Sequence, residues 1–267
     1  MARVNDGKIV LFGAGGPVGA AAIGALKNHY RLRVTDARPM REIAAGKPQS
    51  ARAPLPEVLE PPHENRQVDV TCYEQVQAAC EGMDAAINLT VVRPELQAAF
   101  AVNTVGAYNI AKAAAATGLK RLIHTGPFHL GLGHDADYVH DFDLVDDVPL
   151  RPGTDLYAMT KFLGGHIMQA FAERRGLEVI TFLYCGFRPR AVQAEERGKG
   201  IGPFYTTWED TGEAFLYGLR AADMPRPYEV FFIRSATPHQ MYRVDKAERL
   251  LGWKPAENLE DLYRISS

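Results

Sequence analysis

The segment Lys8–Gly19, KIVLFGAGGPVG, constrains the fold of this chain more than any other stretch. Lys8–Phe12 is a short apolar run that ends in glycines, the pattern of a buried strand. Pro17–His29 reads as a helix whose alanines, Ile23 and Leu26 face a sheet. Between them, Gly13, Gly16 and Gly19 stand at GxxGxxG spacing. The first glycine permits a tight turn, the second lets the backbone approach a pyrophosphate, and the third allows strand and helix to pack closely. The helix start then offers unpaired N–H groups and partial positive charge to phosphates. Arg31–Asp36 follows as a second strand and ends on an acid. A carboxylate there binds ribose hydroxyls and repels a 2′-phosphate, which favours NAD over NADP. Arg38, close by, would tolerate a 2′-phosphate.

The same rhythm continues along the chain. A Pro-rich stretch from Pro39 to Pro62 reads as a long surface excursion with little regular structure. Gln67–Val70 and Asp84–Val91 read as strands, with a helical pattern at Tyr73–Cys80 between them. Pro94–Thr117 reads as a helix with proline at its start and Gly118 after its end. Lys120–Thr125 is the next strand, and a loop rich in His, Asp and Gly covers Gly126–Thr154. A long helix at Asp155–Arg175 stops at Gly176, and Leu177–Cys185 is strand-like. Alternation of this kind predicts an α/β fold, a Rossmann-type doubly wound parallel sheet with helices on both faces. Beyond Gly186 the pattern loosens: a helix near Thr211–Ala222, a strand at Tyr228–Ile233, a short helix near Asp245–Leu251. The expected organisation is a dinucleotide-binding domain over 1–185 and a small substrate-side region over 186–267, with a possible strand return to the sheet. No internal repeat is visible.

Bulk properties exclude several classes. A net charge of −2 gives no basic field for nucleic acid or an anionic membrane surface. No apolar run approaches the ~20 residues that span a bilayer. The N-terminal residues lack the apolar core of a signal peptide. Three cysteines, Cys72, Cys80 and Cys185, fit no metal spacing, and their odd number suits a reducing cytoplasm.

Leu156–Lys161 reads LYAMTK, which sets Tyr157 and Lys161 at i,i+4 on one helix face. A phenol is a poor base at neutral pH. A neighbouring ammonium and a positive nicotinamide ring stabilise the phenolate, so that it can take a proton from an alcohol while hydride leaves.

With the glycine loop and the Tyr–Lys pair together, the chain resembles the extended short-chain dehydrogenase/reductase family, the NAD-dependent sugar epimerase/dehydratase group. GAGGPVG is similar to the family's cofactor loop and implies contacts from Gly13, Gly16, Pro17, Val18 and Gly19. Asp69-Val70 resembles its adenine-contacting pair, and Asn88-Leu89-Thr90 the end of its fourth strand, where Leu89 and Thr90 would line the cofactor. Asn103–Ile110 (NTVGAYNI) resembles the stretch whose asparagine, here Asn103, helps fix the catalytic lysine through water. LRPGTDLYAMTK and the late LGWKP complete the likeness. Among members, uronate dehydrogenases look nearest, which implies His129 as a substrate contact. The resemblance also implies a homodimer bundled through long helices.

One position departs. The family sets a serine or threonine just after the fifth strand to hold the substrate oxygen. Here Gly126 and Pro127 stand there, and Thr125 is the nearby hydroxyl. Arg188 and Arg190, after the sixth strand, are candidate carboxylate clamps, with Arg197 and Lys199 as rivals. His124, His129, His134 and His140 with their neighbouring aspartates are better read as a polar loop than as a metal site. The expectation is an NAD-dependent oxidoreductase acting on a sugar or sugar-acid hydroxyl, with Tyr157, Lys161, Asn103 and Thr125 as catalytic machinery. Two alternatives stand beside it: a non-catalytic NAD-binding sensor, and a sugar epimerase or dehydratase.

Overall fold

The computed structural model describes residues 3–50, 52–128, 143–147, 149–192, 194–199, 202–239 and 241–264. In chain order its strands are β1 (Lys8–Phe12), β2 (Arg31–Asp36), β3 (Glu64–Gln67), β4 (Ala85–Asn88), β5 (Arg121–Pro127), β6 (Glu178–Tyr184), β7 (Gly186–Arg188), β8 (Tyr205–Thr207) and β9 (Tyr228–Phe232). The helices are α1 (Pro17–Leu26), α2 (Met40–Ala44), α3 (Tyr73–Cys80), α4 (Leu96–Ala99), α5 (Ala107–Thr117), α6 (Leu156–Arg175), α7 (Trp208–Arg220) and α8 (Asp245–Leu251).

Seven strands form one sheet in the order β3-β2-β1-β4-β5-β6-β9, every pair parallel. A parallel sheet is covered on both faces, so its central strands bury apolar side chains on both sides. In β1, Ile9 and Leu11 face a core shared with α1 and α7, while Val10 and Phe12 face a core shared with α3, α5 and α6. The strand order reverses between β1 and β4. In open α/β sheets a ligand crevice lies outside the carboxyl ends of the strands at such a switch point. Phe12 is level with both Thr35 and Asn88, so Gly13, Asp36 and Leu89 share that edge.

Several elements differ from the sequence expectation: β5 runs on through Gly126 and Pro127, which were expected in the following loop, and β7 and β8 were not expected. The third strand is Glu64–Gln67, not Gln67–Val70. It is an edge strand of four polar residues, held by the Arg33 guanidinium gripping both carboxylate oxygens of Glu64. The apolar pair Val68 and Val70 lies past its end, in the core. The helix expected at Pro94–Thr117 begins at Leu96, where the Glu95 carboxylate caps it. It then passes through a π-helical stretch, Phe100–Gly106, before resuming as α5. The Pro-rich excursion contains the short α2.

The C-terminal third also builds on the main sheet. β9 pairs with β6, and α7 packs on α1 so closely that a Cβ on Gly212 would lie 2.7 Å from the Ala21 carbonyl oxygen. The buried Arg121 guanidinium donates to the carbonyls of Gly218 (2.7 Å), Ala221 (2.9 Å) and Ala222 (2.9 Å), and its Nε donates to Glu178 (2.6 Å). β7 and β8 form a separate two-stranded parallel sheet beside the strand ends. Among the described residues, no helix is long and apolar enough to cross a membrane.

Candidate active site

The three glycines of the loop stand in different surroundings. Gly13 has φ +74°, and a Cβ there would lie 2.8 Å from the Thr90 backbone. A Cβ on Gly19 would meet the Ala14 carbonyl oxygen at 2.2 Å, so the close approach of α1 to β1 needs glycine. At Gly16 nothing lies within 4 Å of such an atom, which leaves the main chain open to a ligand. Helix α1 has Pro17 at its start, no side-chain cap and no acid in its first turn. Its orphan N–H groups therefore remain for an anion. The Asp36 carboxylate accepts from Gly15 N at 3.0 Å, which fixes the acid to the loop. A groove of about 700 Å³ runs along this edge, lined in part by Gly13, Pro17, Val18, Leu89 and Arg93. These features fit a dinucleotide with its pyrophosphate over Gly16 and α1. Farther out, Asp69 accepts from the N–H and hydroxyl of Thr71, and Val70 is buried against Gly106 with its carbonyl taken by Asn109.

The second half of the site is positioned by α6. Asp155 caps this helix by accepting from Ala158 N at 2.8 Å, which sets Tyr157 in its first turn and Lys161 one turn on. Both line a pocket of about 260 Å³ with Thr125, Pro127 and Arg93. That pocket and the dinucleotide groove share Val18, Leu89 and Arg93 as walls. Lys161 is 2% exposed and donates to the Thr90 carbonyl at 3.2 Å. Burial, with the Arg93 charge nearby, brings its ammonium down to about 7. Burial pushes the Tyr157 phenol up, against the pull of the Arg93 guanidinium, which lies 4.9 Å from its ring centroid.

A buried network steadies the floor. Asn88 Oδ1 accepts from the N–H (3.1 Å) and hydroxyl (2.7 Å) of Thr90, whose carbonyl receives Lys161. Asn88 Nδ2 lies 3.2 Å from His124 Nδ1. An amide N–H₂ can only donate, so His124 carries its proton on Nε2. Desolvation and the Lys161 charge hold this imidazole well below its ordinary pKa, hence neutral. Asn103 grips the main chain of Val92 (3.0 and 2.6 Å) and donates to Thr160 Oγ1 (2.9 Å), so its side chain ties the π stretch to the β4 exit and to α6.

The Thr125 hydroxyl donates to Asn88 O at 3.1 Å. Pro127 is buried, level with Tyr184, whose hydroxyl is buried without a partner among the described residues. Arg188 pairs with Glu196 (2.7 Å) and lies over the Tyr205 ring, and Arg190 pairs with Glu257 (2.8 Å). Neither lines the Tyr157 pocket. His129 lies outside the described residues. Among the described residues no three metal-ligating side chains gather.

Sequence reasoning passed over Arg93. The available signal was its position: a cation four residues past the Asn88-Leu89 strand end, on the sheet edge where ligands bind.

This geometry defines the class: a Rossmann-fold protein with a Tyr–Lys pair at the mouth of its dinucleotide groove. The chain belongs to the NAD-dependent epimerase/dehydratase family, whose model matches residues 9–190. It is 24% identical over 265 residues to an NAD-dependent glucose-6-phosphate dehydrogenase of Haloferax volcanii, covering 95% of this chain and 94% of the relative. Among solved structures it is similar to the glucuronic acid dehydrogenase of Chromohalobacter salexigens, with TM-score 0.76, 19% identity, and coverage of 98% and 90% of the two chains. A variant of Agrobacterium tumefaciens uronate dehydrogenase complexed with NAD superposes with TM-score 0.75 and 21% identity, covering 95% and 86%.

Proposed function

We propose that this chain is an NAD-dependent dehydrogenase that oxidises a hydroxyl of a free sugar or sugar acid. The observation that carries this reading is the shared wall: the Tyr157–Lys161 pocket opens directly onto the groove built by Gly13–Gly19. Bound NAD supplies the hydride acceptor. Tyr157 takes the hydroxyl proton as the carbon–hydrogen bond breaks, leaving a carbonyl. Lys161 and Arg93 are the cations that favour the phenolate, and Lys161 is assigned the nicotinamide ribose as well. The sugar and sugar-acid dehydrogenases among the relatives support the same substrate class. A pocket of about 260 Å³ is below the roughly 300–1,000 Å³ of drug-sized ligand sites, which favours a monosaccharide over the nucleotide sugars of an epimerase or dehydratase.

The finer assignments belong to the same reading. Asp36, Asp69 and Val70 serve the adenosine half, Leu89 and Thr90 the nicotinamide half, and Thr125, His129, Arg188 and Arg190 remain substrate-side candidates. Residues 1–185 carry the cofactor and 186–267 close the substrate side. A cytoplasmic homodimer is the expected state. Its support is the row Leu96, Phe100, Val105 and Tyr108, large apolar side chains left exposed at near-helical spacing along the α4–α5 rod.

A second reading is favoured by one observation: Pro127 stands at the usual serine position and the Thr125 hydroxyl is engaged by Asn88. That is compatible with an NAD-binding sensor that performs no turnover. Incubating the protein with NAD and a panel of uronic acids, aldoses and polyols, and following NADH absorbance, separates the two. Turnover of any member is the expected result; NAD binding with silence across the panel supports the sensor. In the active protein, Tyr157→Phe is expected to lower the rate by roughly 10²- to 10⁴-fold while leaving NAD affinity nearly unchanged. Full activity in that variant would remove Tyr157 from the base role.

A further inference from the structure

Charge is distributed unevenly around the cleft. The arginines after β6 are paired with acids: Arg188 with Glu196, Arg190 with Glu257 and Arg197 with Asp261. Arg93 differs. No carboxylate pairs with it among the described residues, and the acid nearest in sequence, Glu95, is spent capping α4. The described lining of the Tyr157 pocket contains two basic side chains, Arg93 and Lys161, and no Asp or Glu. A guanidinium with no acid partner among the described residues, in a cleft walled by Val18, Leu89, Val91 and Phe187, focuses a positive field on whatever enters.

We propose that Arg93 is the anion-recognising residue of this pocket, and that the substrate is a monosaccharide carrying a carboxylate or phosphate within one sugar ring of the hydroxyl oxidised. The proposal rests on the dehydrogenase reading above and names the substrate that reading leaves open. Its geometry is that of one short span. The guanidinium lies 4.9 Å from the centroid of the Tyr157 ring, so an anion on Arg93 is held close to the reacting hydroxyl. A guanidinium has five N–H donors in a planar fork. These donors are available to the two oxygens of a carboxylate or phosphate. A planar fork on an aromatic ring offers bidentate geometry that a lysine at this position would not reproduce. The side chain is exposed at the cleft mouth, so removing it opens no buried hole.

The test compares wild type, Arg93→Met and Arg93→Lys on three sugars: a hexuronate, a hexose 6-phosphate and the neutral hexose. The readout is the ratio of kcat/KM for each anionic sugar to that for the neutral one. Wild type is expected to prefer one of the anions, and which one tells carboxylate from phosphate. The methionine variant is expected to lose about 10- to 100-fold of that preference, the worth of a charged hydrogen-bonded contact, with lysine between the two. Calorimetric titration of the NAD-loaded proteins with the same sugars reads recognition apart from turnover. Equal losses on neutral and anionic sugars would assign Arg93 to Tyr157 alone and overturn the proposal. So would weakened NAD binding with an unchanged preference, or a wild-type preference for the neutral sugar. If no sugar is turned over, the dehydrogenase reading fails by itself. Calorimetry then decides this one: Arg93-dependent binding of either anionic sugar sustains it, and its absence overturns it.

Discussion

Lys161 illustrates what a single residue costs to keep. Its folded pKa of about 7 lies below the 10.5 of an unhindered lysine, because burial and the Arg93 charge disfavour the ammonium. Below pH 7 both folded and unfolded chains hold this proton, and the full cost of a buried charge is present. Between about 7 and 10.5 the unfolded chain binds more protons than the folded one, so this contribution to stability rises with pH. Lys161→Met is therefore expected to stabilise the NAD-free protein more at pH 6 than at pH 9.5, with a difference on the order of 2–4 kcal/mol, while abolishing turnover. Urea denaturation at the two pH values checks it; a pH-independent difference would mean the lysine is accommodated without strain. Tyr157, Lys161 and the three glycines were legible because their spacing encodes their placement. Arg93 and the Asn88–His124 contact were not. They depend on which strand ends become neighbours, and residues far apart in sequence carry no periodic signal of that.

At the scale of elements, the apolar runs predicted every buried strand of the sheet but misplaced its edge. β3 is polar, and what holds it is Arg33 rather than burial. The π stretch at Phe100–Gly106 was equally silent, since a wide turn needs no distinctive residue. It is nevertheless where α6 approaches most closely: a Cβ on Gly164 would lie 2.4 Å from the Asn103 carbonyl oxygen. That neighbour is backbone and cannot swing away. Gly164→Ala is expected to cost about 1–3 kcal/mol and to lower kcat by displacing Tyr157 and Lys161, which ride on the same helix. Thermal unfolding and steady-state kinetics check the two parts, and an alanine variant of native stability and rate would show that the helices have slack. This contact belongs to the element pair, so a glycine in mid-helix gave no hint of it beyond its unfavourable propensity.

For the whole molecule, strand alternation with right-handed crossovers restricts a chain of this length to few arrangements, and the parallel order through β6 is one of them. The expected dimer is a property at this scale. Phe100→Glu, on the exposed row of the α4–α5 rod, is expected to convert a dimer to monomers in sedimentation velocity. A wild-type protein that already sediments as a monomer would overturn that expectation.

Arg121 gives the molecule an order in time. The glycine loop and the strands around it, β1, β2 and β4, are synthesised first, although the groove also takes walls from Cys185, Gly186, Phe187 and Trp208. Yet the guanidinium at the base of β5 is satisfied by carbonyls that arrive about a hundred residues later, at Gly218–Ala222, and the open side of β6 waits for β9. Such distant closures are slow to form, because loop entropy is spent before the contact repays it. During synthesis the nascent chain therefore carries the phosphate loop on an unfinished sheet with one groove wall still to come. The last third of the sequence acts as its clasp, supplying together the far wall of the groove and the partners that close the sheet.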